Sequence, residues 1–217
     1  MLAQIVLFDG FDPLDVIAPF EVLSAGSDAV GGALEVRLVG VDAVGPVTSG
    51  TGGLQLQATH VLAPTAPGFV VVPGASGPVE ADPDLVDTVP VLLARVGTTG
   101  LPGKIEQAFG APDTLVATVC GGSLALAMAG LLEGRHAVTH RLGNDVLAAT
   151  GVHVVDARVV DDGDLVTSGG VTSGLDLALH LLDRRFGPRV AHAVEQLFEY
   201  ERRGTVWRPV GREPLAV

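Results

Sequence analysis

What most constrains this chain is a set of short, uninterrupted apolar runs separated by helix-like stretches. Residues 3–8 (AQIVLF), 34–39 (LEVRLV), 69–72 (FVVV), 115–119 (LVATV) and 165–168 (LVTS) are bounded by turn residues and read as continuous rather than alternating. A strand without a polar face is buried on both sides, the condition of a parallel sheet held between helices. The intervening segments carry apolar residues at helical spacing. They are 13–25 with Val16, Phe20 and Leu23, 84–95 with Leu85, Val89 and Leu92, then 121–132, 173–186 and 190–201. Strands alternating with helices predict an α/β fold, a three-layer sandwich with a mainly parallel central sheet. Segment 47–62 (VTSGTGGLQLQATHVL) differs: its Gly-rich turn and alternating Leu54 and Leu56 predict a small β-hairpin. Segment 97–110 (GTTGLPGKIEQAFG) reads as a mobile insertion, and 202–217 as a surface tail. With no repeat and no linker, 1–217 reads as a single domain.

Composition narrows the class of partner. Apolar residues make up 47% of the chain and charged residues 18%, which excludes intrinsic disorder. The net charge of −12 argues against nucleic acid or an anionic membrane as partner, since both select a positive surface. A single cysteine forms no internal disulfide. The first residues lack a basic n-region and no apolar run approaches ~18 residues, so neither a leader nor a membrane span is expected, and the protein reads as cytoplasmic. There is no HExxH, no paired Cys/His spacing and no phosphate-binding loop with its lysine, so neither a metal nor a nucleotide cofactor is expected.

Cys120 is the most informative residue. It follows the run LVATV and precedes Gly121, Gly122 and an Ala/Leu-rich stretch, which places it at a strand-to-helix turn. A thiol there meets the positive end of a helix and unpaired N–H groups, which favour the thiolate. The glycines relieve a sharp turn and expose N–H groups, Gly121 among them, to a developing oxyanion. The layout is that of a nucleophile elbow with cysteine in place of serine. The alternative is a buried structural cysteine.

Four segments together, AQIVLFDGFDPLDVIAPFEVL, FVVVPGASG, ATVCGGSLALAMAGLLEGRHAVTHR and LVTSGGVTSGLDLALHLL, resemble the ThiJ/PfpI superfamily, and within it the isonitrile hydratase subgroup. The resemblance runs in order from about residue 3 to 201. It implies a flavodoxin-like sandwich of the class I glutamine amidotransferase type, a Cys120 nucleophile and a homodimer. Isonitrile hydratases commonly carry D-x-x-G-P in the first helix and Thr after the cysteine. Asp15 and Pro19 match; Ala18 and Gly121 depart.

The resemblance makes Asp15 the acid/base partner, ahead of Asp9 and Glu21. The plain alternative is a helix cap, with Asp12 at N-cap, Pro13 at N1 and Asp15 at N3. Gly74 and Ala75 follow a buried strand and, with Gly121, could supply the N–H groups of an oxyanion hole. The loop 169–173 is placed near the cysteine by the resemblance, which makes Thr172 a pocket candidate, while Ser173 and Asp176 read as an S-x-x-D capping box. His140 matches a histidine recurrent in the subgroup and either borders the pocket or satisfies a strand end. Ile17 and Phe20 are candidates for an aliphatic wall.

The reaction implied is hydration of an organic isonitrile to the N-substituted formamide. Asp15 supplies a proton, Cys120 attacks to give a thioimidate, and water releases the product. The alternatives are a non-catalytic ligand or redox sensor and a glyoxalase, deglycase or peptidase type of cysteine enzyme. Sensor domains of this superfamily also occur ahead of AraC-type DNA-binding domains, for which no further room is expected beyond Val217.

Overall fold

The computed structural model describes residues 1–82 and 86–212. In chain order the elements are β1 (Leu2–Leu7), α1 (Pro13–Ala29), β2 (Glu35–Gly40), β3 (Gly45–Thr48), β4 (Gln55–Ala58), β5 (His60–Val61) and β6 (Gly68–Val72). There follow α2 (Val89–Val96), α3 (Leu101–Phe109), β7 (Thr114–Val119), α4 (Gly122–Met128) and β8 (His136–Ala137). After a 3-10 turn at Arg141–Gly143 come α5 (Asn144–Ala149), β9 (His153–Val154), β10 (Val159–Asp161), β11 (Leu165–Ser168), α6 (Ser173–Phe186) and α7 (Pro188–Phe198).

The main sheet has the order β10-β11-β7-β6-β1-β2-β5. Every pairing in it is parallel except β10 with β11. Its central strands are the apolar runs of the sequence: β6 and β7 are buried along their whole length. One helical layer is α1 packed on α6 and α7; α2, α4 and α5 pack as a second group, and α3 lies on β7. The three-layer α/β sandwich expected from the alternation is the fold observed. β3 and β4 form the expected hairpin, in register from Gly45 opposite Ala58 to Thr48 opposite Gln55.

The direction of chain travel reverses beside β1. β2 lies on one side of it, and β6, β7 and β11 lie on the other. In an open parallel sheet, the crevice outside the carboxyl ends at such a point is where ligands bind. The loops that follow β1 and β6 are tied together there. Phe11 bridges Ala75, with Asp12 N–H donating to the Gly74 carbonyl and Ser76 N–H to the Gly10 carbonyl.

Three expectations are corrected. Segment 97–110 is not a mobile insertion: residues Leu101–Phe109 form α3, and Leu101, Ile105 and Ala108 are fully buried. Its glycines lie at the helix ends and on the outer face, so their number says little about the packed face. The helix expected over 84–95 begins at Val89 among the described residues, where Thr88 is the N-cap and Pro90 sits in the first turn; positions 84 and 85 lie outside the described residues. The 202–217 segment is not wholly a free tail. Trp207 pairs with β10, its N–H donating to the Val159 carbonyl and its carbonyl accepting from Asp161 N–H, while 213–217 lie outside the described residues. Among the described residues no helix is long and apolar enough to cross a membrane.

If α3 is part of the core, Ile105→Ala costs roughly 2–5 kcal/mol, the usual cost of truncating a buried branched side chain. Urea unfolding checks this, and a loss under about 1 kcal/mol contradicts it.

Candidate active site

Cys120 sits between the end of β7 and the start of α4 with φ at +54°, a left-handed conformation that non-glycine residues rarely adopt. The surroundings over-determine it. Its N–H is shared between the Ser168 and Gly169 carbonyls, 3.1 Å to each. Its carbonyl accepts from the Thr139 hydroxyl at 2.8 Å and from the Ser123 hydroxyl at 3.3 Å. Strained backbone held from four directions is a feature of functional turns. The thiol is 8% exposed and borders a cavity of about 390 Å³.

Asp15 lies in the first turn of α1 and is 0% exposed. It is not a cap. Asp12 is the cap, its carboxylate accepting from Leu14 N–H at 2.9 Å, and the Asp12 N–H goes to the Gly74 carbonyl rather than to Asp15. Asp15 Oδ2 instead accepts from the N–H of Gly74 at 2.9 Å. Its other oxygen, Oδ1, has no hydrogen-bond partner, although the Cys120 thiol lies close enough to bear on the titration of the carboxyl. Burial, and then the charge of Asp12, raise Asp15 to about 8. At neutral pH the group is therefore a carboxylic acid. Because Oδ2 receives an N–H, the proton belongs on Oδ1, the unpartnered oxygen.

The thiol does not behave as the helix terminus alone would have it. Burial and then the Asp15 charge push Cys120 up to about 12, against the N–H groups of Val171 and Gly121, which act in the opposite sense. The helix that follows has only 7 residues, and desolvation outweighs its dipole. The resting pair is thus a thiol beside a neutral acid, and the expected thiolate is corrected. The two groups titrate as a unit, the first proton leaving near 8.

Close approach makes glycine necessary at position 74. A Cβ there would stand 2.6 Å from Gly121 N and 2.8 Å from Asp15 Oδ2. The loops after β1, β6 and β7 meet at this point. At position 121 a Cβ would stand 3.0 Å from Leu93 Cδ1. Leu93, on α2, packs against that face and makes the wall apolar, and a side chain after the cysteine would need the Leu93 methyls to give by a few tenths of an ångström.

The other predicted residues divide. Ala75, Gly121 and His140 line the cavity. His140 also caps the 3-10 turn, its Nδ1 accepting from Leu142 N–H at 3.3 Å, which is a turn cap in place of the suggested strand-end role. Gly74 borders the acid, but its N–H is committed to Asp15 and is not a free oxyanion donor. Thr172 points away from the cavity; its hydroxyl accepts from Arg158 at 3.0 Å. Val171, with φ at +37°, is the residue of that loop that lines the cavity, and its N–H bears on the thiol. Ile17 is 37% exposed and lines nothing in the cavity. At 100° per residue it stands roughly 200° from Asp15, on the outer face of α1. Asp9 and Glu21 are at the surface. Ser173 and Asp176 are not a capping box. Asp176 is buried, accepting from Arg158 at 2.5 Å, Tyr200 at 2.8 Å and Arg203 N–H at 2.7 Å. The pocket residues that sequence reasoning missed, Asp12, Leu93, Leu124, Met128, Leu142 and Val171, carry no signal beyond ordinary cap, core and loop patterns. Among the described residues no cluster of three or more His, Cys, Asp or Glu is placed to hold a metal ion.

The sequence pattern of the DJ-1/PfpI family matches residues 1–184. The chain belongs to this family. It is 36% identical over 198 residues to an isonitrile hydratase of Pseudomonas putida, covering 90% of this chain and 76% of that one. It is 28% identical over 200 residues to DJ-1 homolog A of Arabidopsis thaliana, of which it spans 44%. The crystal structure of DJ-1beta from Drosophila melanogaster superposes with a TM-score of 0.75 at 20% identity, over 92% of this chain and 98% of that chain.

The buried acid has a measurable consequence. An acid held at about 8 in the native state, against an ordinary value near 3.8, is protonated when folded and ionised when unfolded between those limits. Its contribution to stability is complete below the lower value, falls as pH rises, and is flat again above the upper one. Asp15→Asn, which removes the titration, therefore gains stability over the wild type progressively from about pH 4 to pH 8. Urea unfolding of both proteins across that range checks the sign; a stability difference, variant minus wild type, that falls with rising pH contradicts it.

Proposed function

We propose that this protein is an isonitrile hydratase, adding water to R–N≡C to give R–NH–CHO. A strained cysteine facing an apolar cavity, with a neutral buried carboxylic acid beside it, carries the reading. Isonitriles are compact at the reacting end, uncharged and apolar, and their terminal carbon must gain a proton before a nucleophile can add. A resting thiol beside a resting acid holds both requirements at neutral pH without a charge to desolvate.

In the first step the terminal carbon gains a proton and forms a bond to Sγ. Asp15 passes its proton toward the carbon and takes the thiol proton, so the acid is regenerated as the thioimidate Cys–S–CH=N–R appears. In the second step water adds to that carbon, its proton passing through Asp15 to nitrogen. The tetrahedral adduct Cys–S–CH(OH)–NH–R then collapses, the C–S bond breaks and the thiol is re-formed. One water is consumed and every proton is returned. The N–H groups of Val171 and Gly121 stabilise sulfur as it leaves, and Asp12 keeps Asp15 and the thiol protonated between turnovers. Cys120 in this account is the nucleophile at an elbow, and Asp15 the recycled acid/base.

The thiol's raised pKa disfavours the redox-sensor alternative, since sensing cysteines react as accessible thiolates.

Purified protein incubated with cyclohexyl isonitrile and with an aryl isonitrile is expected to yield the formamides by mass spectrometry. Cys120→Ala is expected to yield none, and Asp15→Asn to lower kcat by at least ~10²-fold, the scale of a lost proton transfer. Formamide from Cys120→Ala at the wild-type rate overturns covalent catalysis. No formamide from wild type with reduced Cys120 overturns the proposed reaction.

A further inference from the structure

The cavity does not end at the cysteine. Besides Cys120, its lining includes Leu93 and Leu124 and, among large apolar side chains that stand in water, Val79, Met128, Leu142 and Val146. These last three are 40%, 64% and 49% exposed, large apolar side chains held in water at the rim of a pocket. They come from three elements, the end of α4, the 3-10 turn and α5, with β8 between the first two, so their convergence is built by the fold and not by one amphipathic helix. Exposed apolar side chains that gather at a cavity mouth mark a binding surface. Among the described residues, the lining carries one acidic side chain, Asp12, one histidine, His140, and no lysine or arginine.

On the reading that isonitriles react at Cys120, we propose that the substituent carried by the substrate is an uncharged, extended aliphatic chain lying along this wall with its far end on the Met128–Leu142–Val146 lip, and that Asp12 excludes substituents bearing a carboxylate next to the isonitrile group. The occupant follows from continuity. The reacting carbon must sit at the sulfur, so whatever is attached to it lies against the wall of the same cavity. A carboxylate next to the isonitrile group would lie at the reacting end of the cavity that Asp12 lines, where the Asp12 charge already bears on Asp15 and Cys120, with no lysine or arginine in the described lining to offset it, a repulsion strengthened by the low-dielectric walls. An aliphatic chain instead exchanges water for the apolar wall at each carbon.

Two series separate this proposal from the reaction on which it rests. The first is turnover of n-butyl through n-decyl isonitriles and of an isonitrile with a carboxylate on the carbon next to the isonitrile group, beside its neutral ester. The second is calorimetric binding of the matching N-alkylformamides to the wild-type protein, which needs no turnover. A fully buried methylene is worth about 0.8 kcal/mol, or about fourfold. On a half-exposed lip, kcat/KM and formamide affinity are expected to rise about twofold per added carbon. The carboxylate compound is expected to fall at least about tenfold below its neutral analogue. The double variant Met128→Ser, Leu142→Ser flattens both series. Asp12→Asn, which keeps an N-capping side chain, narrows the gap between the carboxylated and neutral compounds. If the formamides show the slope but no isonitrile is hydrated, the reaction is wrong and the chain-binding wall stands. If isonitriles turn over with no dependence on chain length, or the carboxylate compound is preferred, the proposal is overturned. It is also overturned if the serine variant changes the oligomeric state and leaves the slope intact, because the lip then holds a second copy of the chain.

Discussion

A single backbone hydrogen bond, from Gly74 N–H to Asp15 Oδ2 at 2.9 Å, organises the site. It fixes which oxygen of the buried acid carries the proton. It also ties the first turn of α1 to the loop after β6, a tie completed by Asp12 N–H returning to the Gly74 carbonyl. Gly74 must be glycine for this to happen, because Asp15 and the Gly121 backbone crowd the place of its side chain. Three loops at the carboxyl edge of the sheet are thereby brought within contact of one another, and the cysteine is presented at their meeting point. A folded protein does not gain stability by burying an acid with one unpaired oxygen. The rest of the fold, four fully buried strand runs and two layers of helices, is what tolerates it.

The chemistry inverts the usual picture of an activated thiol. Cys120 has the features that lower a thiol pKa, a helix start and two N–H groups, yet desolvation and a neighbouring carboxyl outweigh them. For a substrate that must be protonated and attacked at the same carbon, a resting thiolate offers half of what is needed. A thiol and an acid that exchange protons offer both. The family contains several activities on one fold, so the discrimination lies in such local balances and not in the architecture.

The architecture was legible because its determinants are local. LVATV and FVVV have no polar face, and a strand buried on both sides needs helices on both sides. Cys120 stood out for a similar reason: an apolar run, a cysteine and two glycines specify a tight turn into a helix. What stayed hidden depended on contacts distant in the chain. Asp15 in the sequence fits a capping position as well as a catalytic one, and it is the Gly74 N–H, 59 residues away, that takes its carboxyl out of the capping role. Thr172 and Val171 are adjacent, and which of them lines the cavity turns on the left-handed backbone at Val171 and on Arg158 taking the Thr172 hydroxyl. Ile17 was placed on the wrong face of a helix whose inward face is set by Asp15, Val16, Ala18 and Pro19. The α3 segment looked loose because glycines dominate its flanks, while its three buried positions, Leu101, Ile105 and Ala108, are a short helical stripe easily lost among them.

The central claim is that a neutral carboxylic acid waits beneath a resting thiol. Infrared difference spectroscopy of wild type against Asp15→Asn at pH 6–7 tests it without substrate. The account predicts a protonated-carboxyl C=O band that the variant lacks, that fades as the pH passes about 8, and that shifts when an isonitrile is added. A difference spectrum showing Asp15 as carboxylate at pH 6 would contradict it.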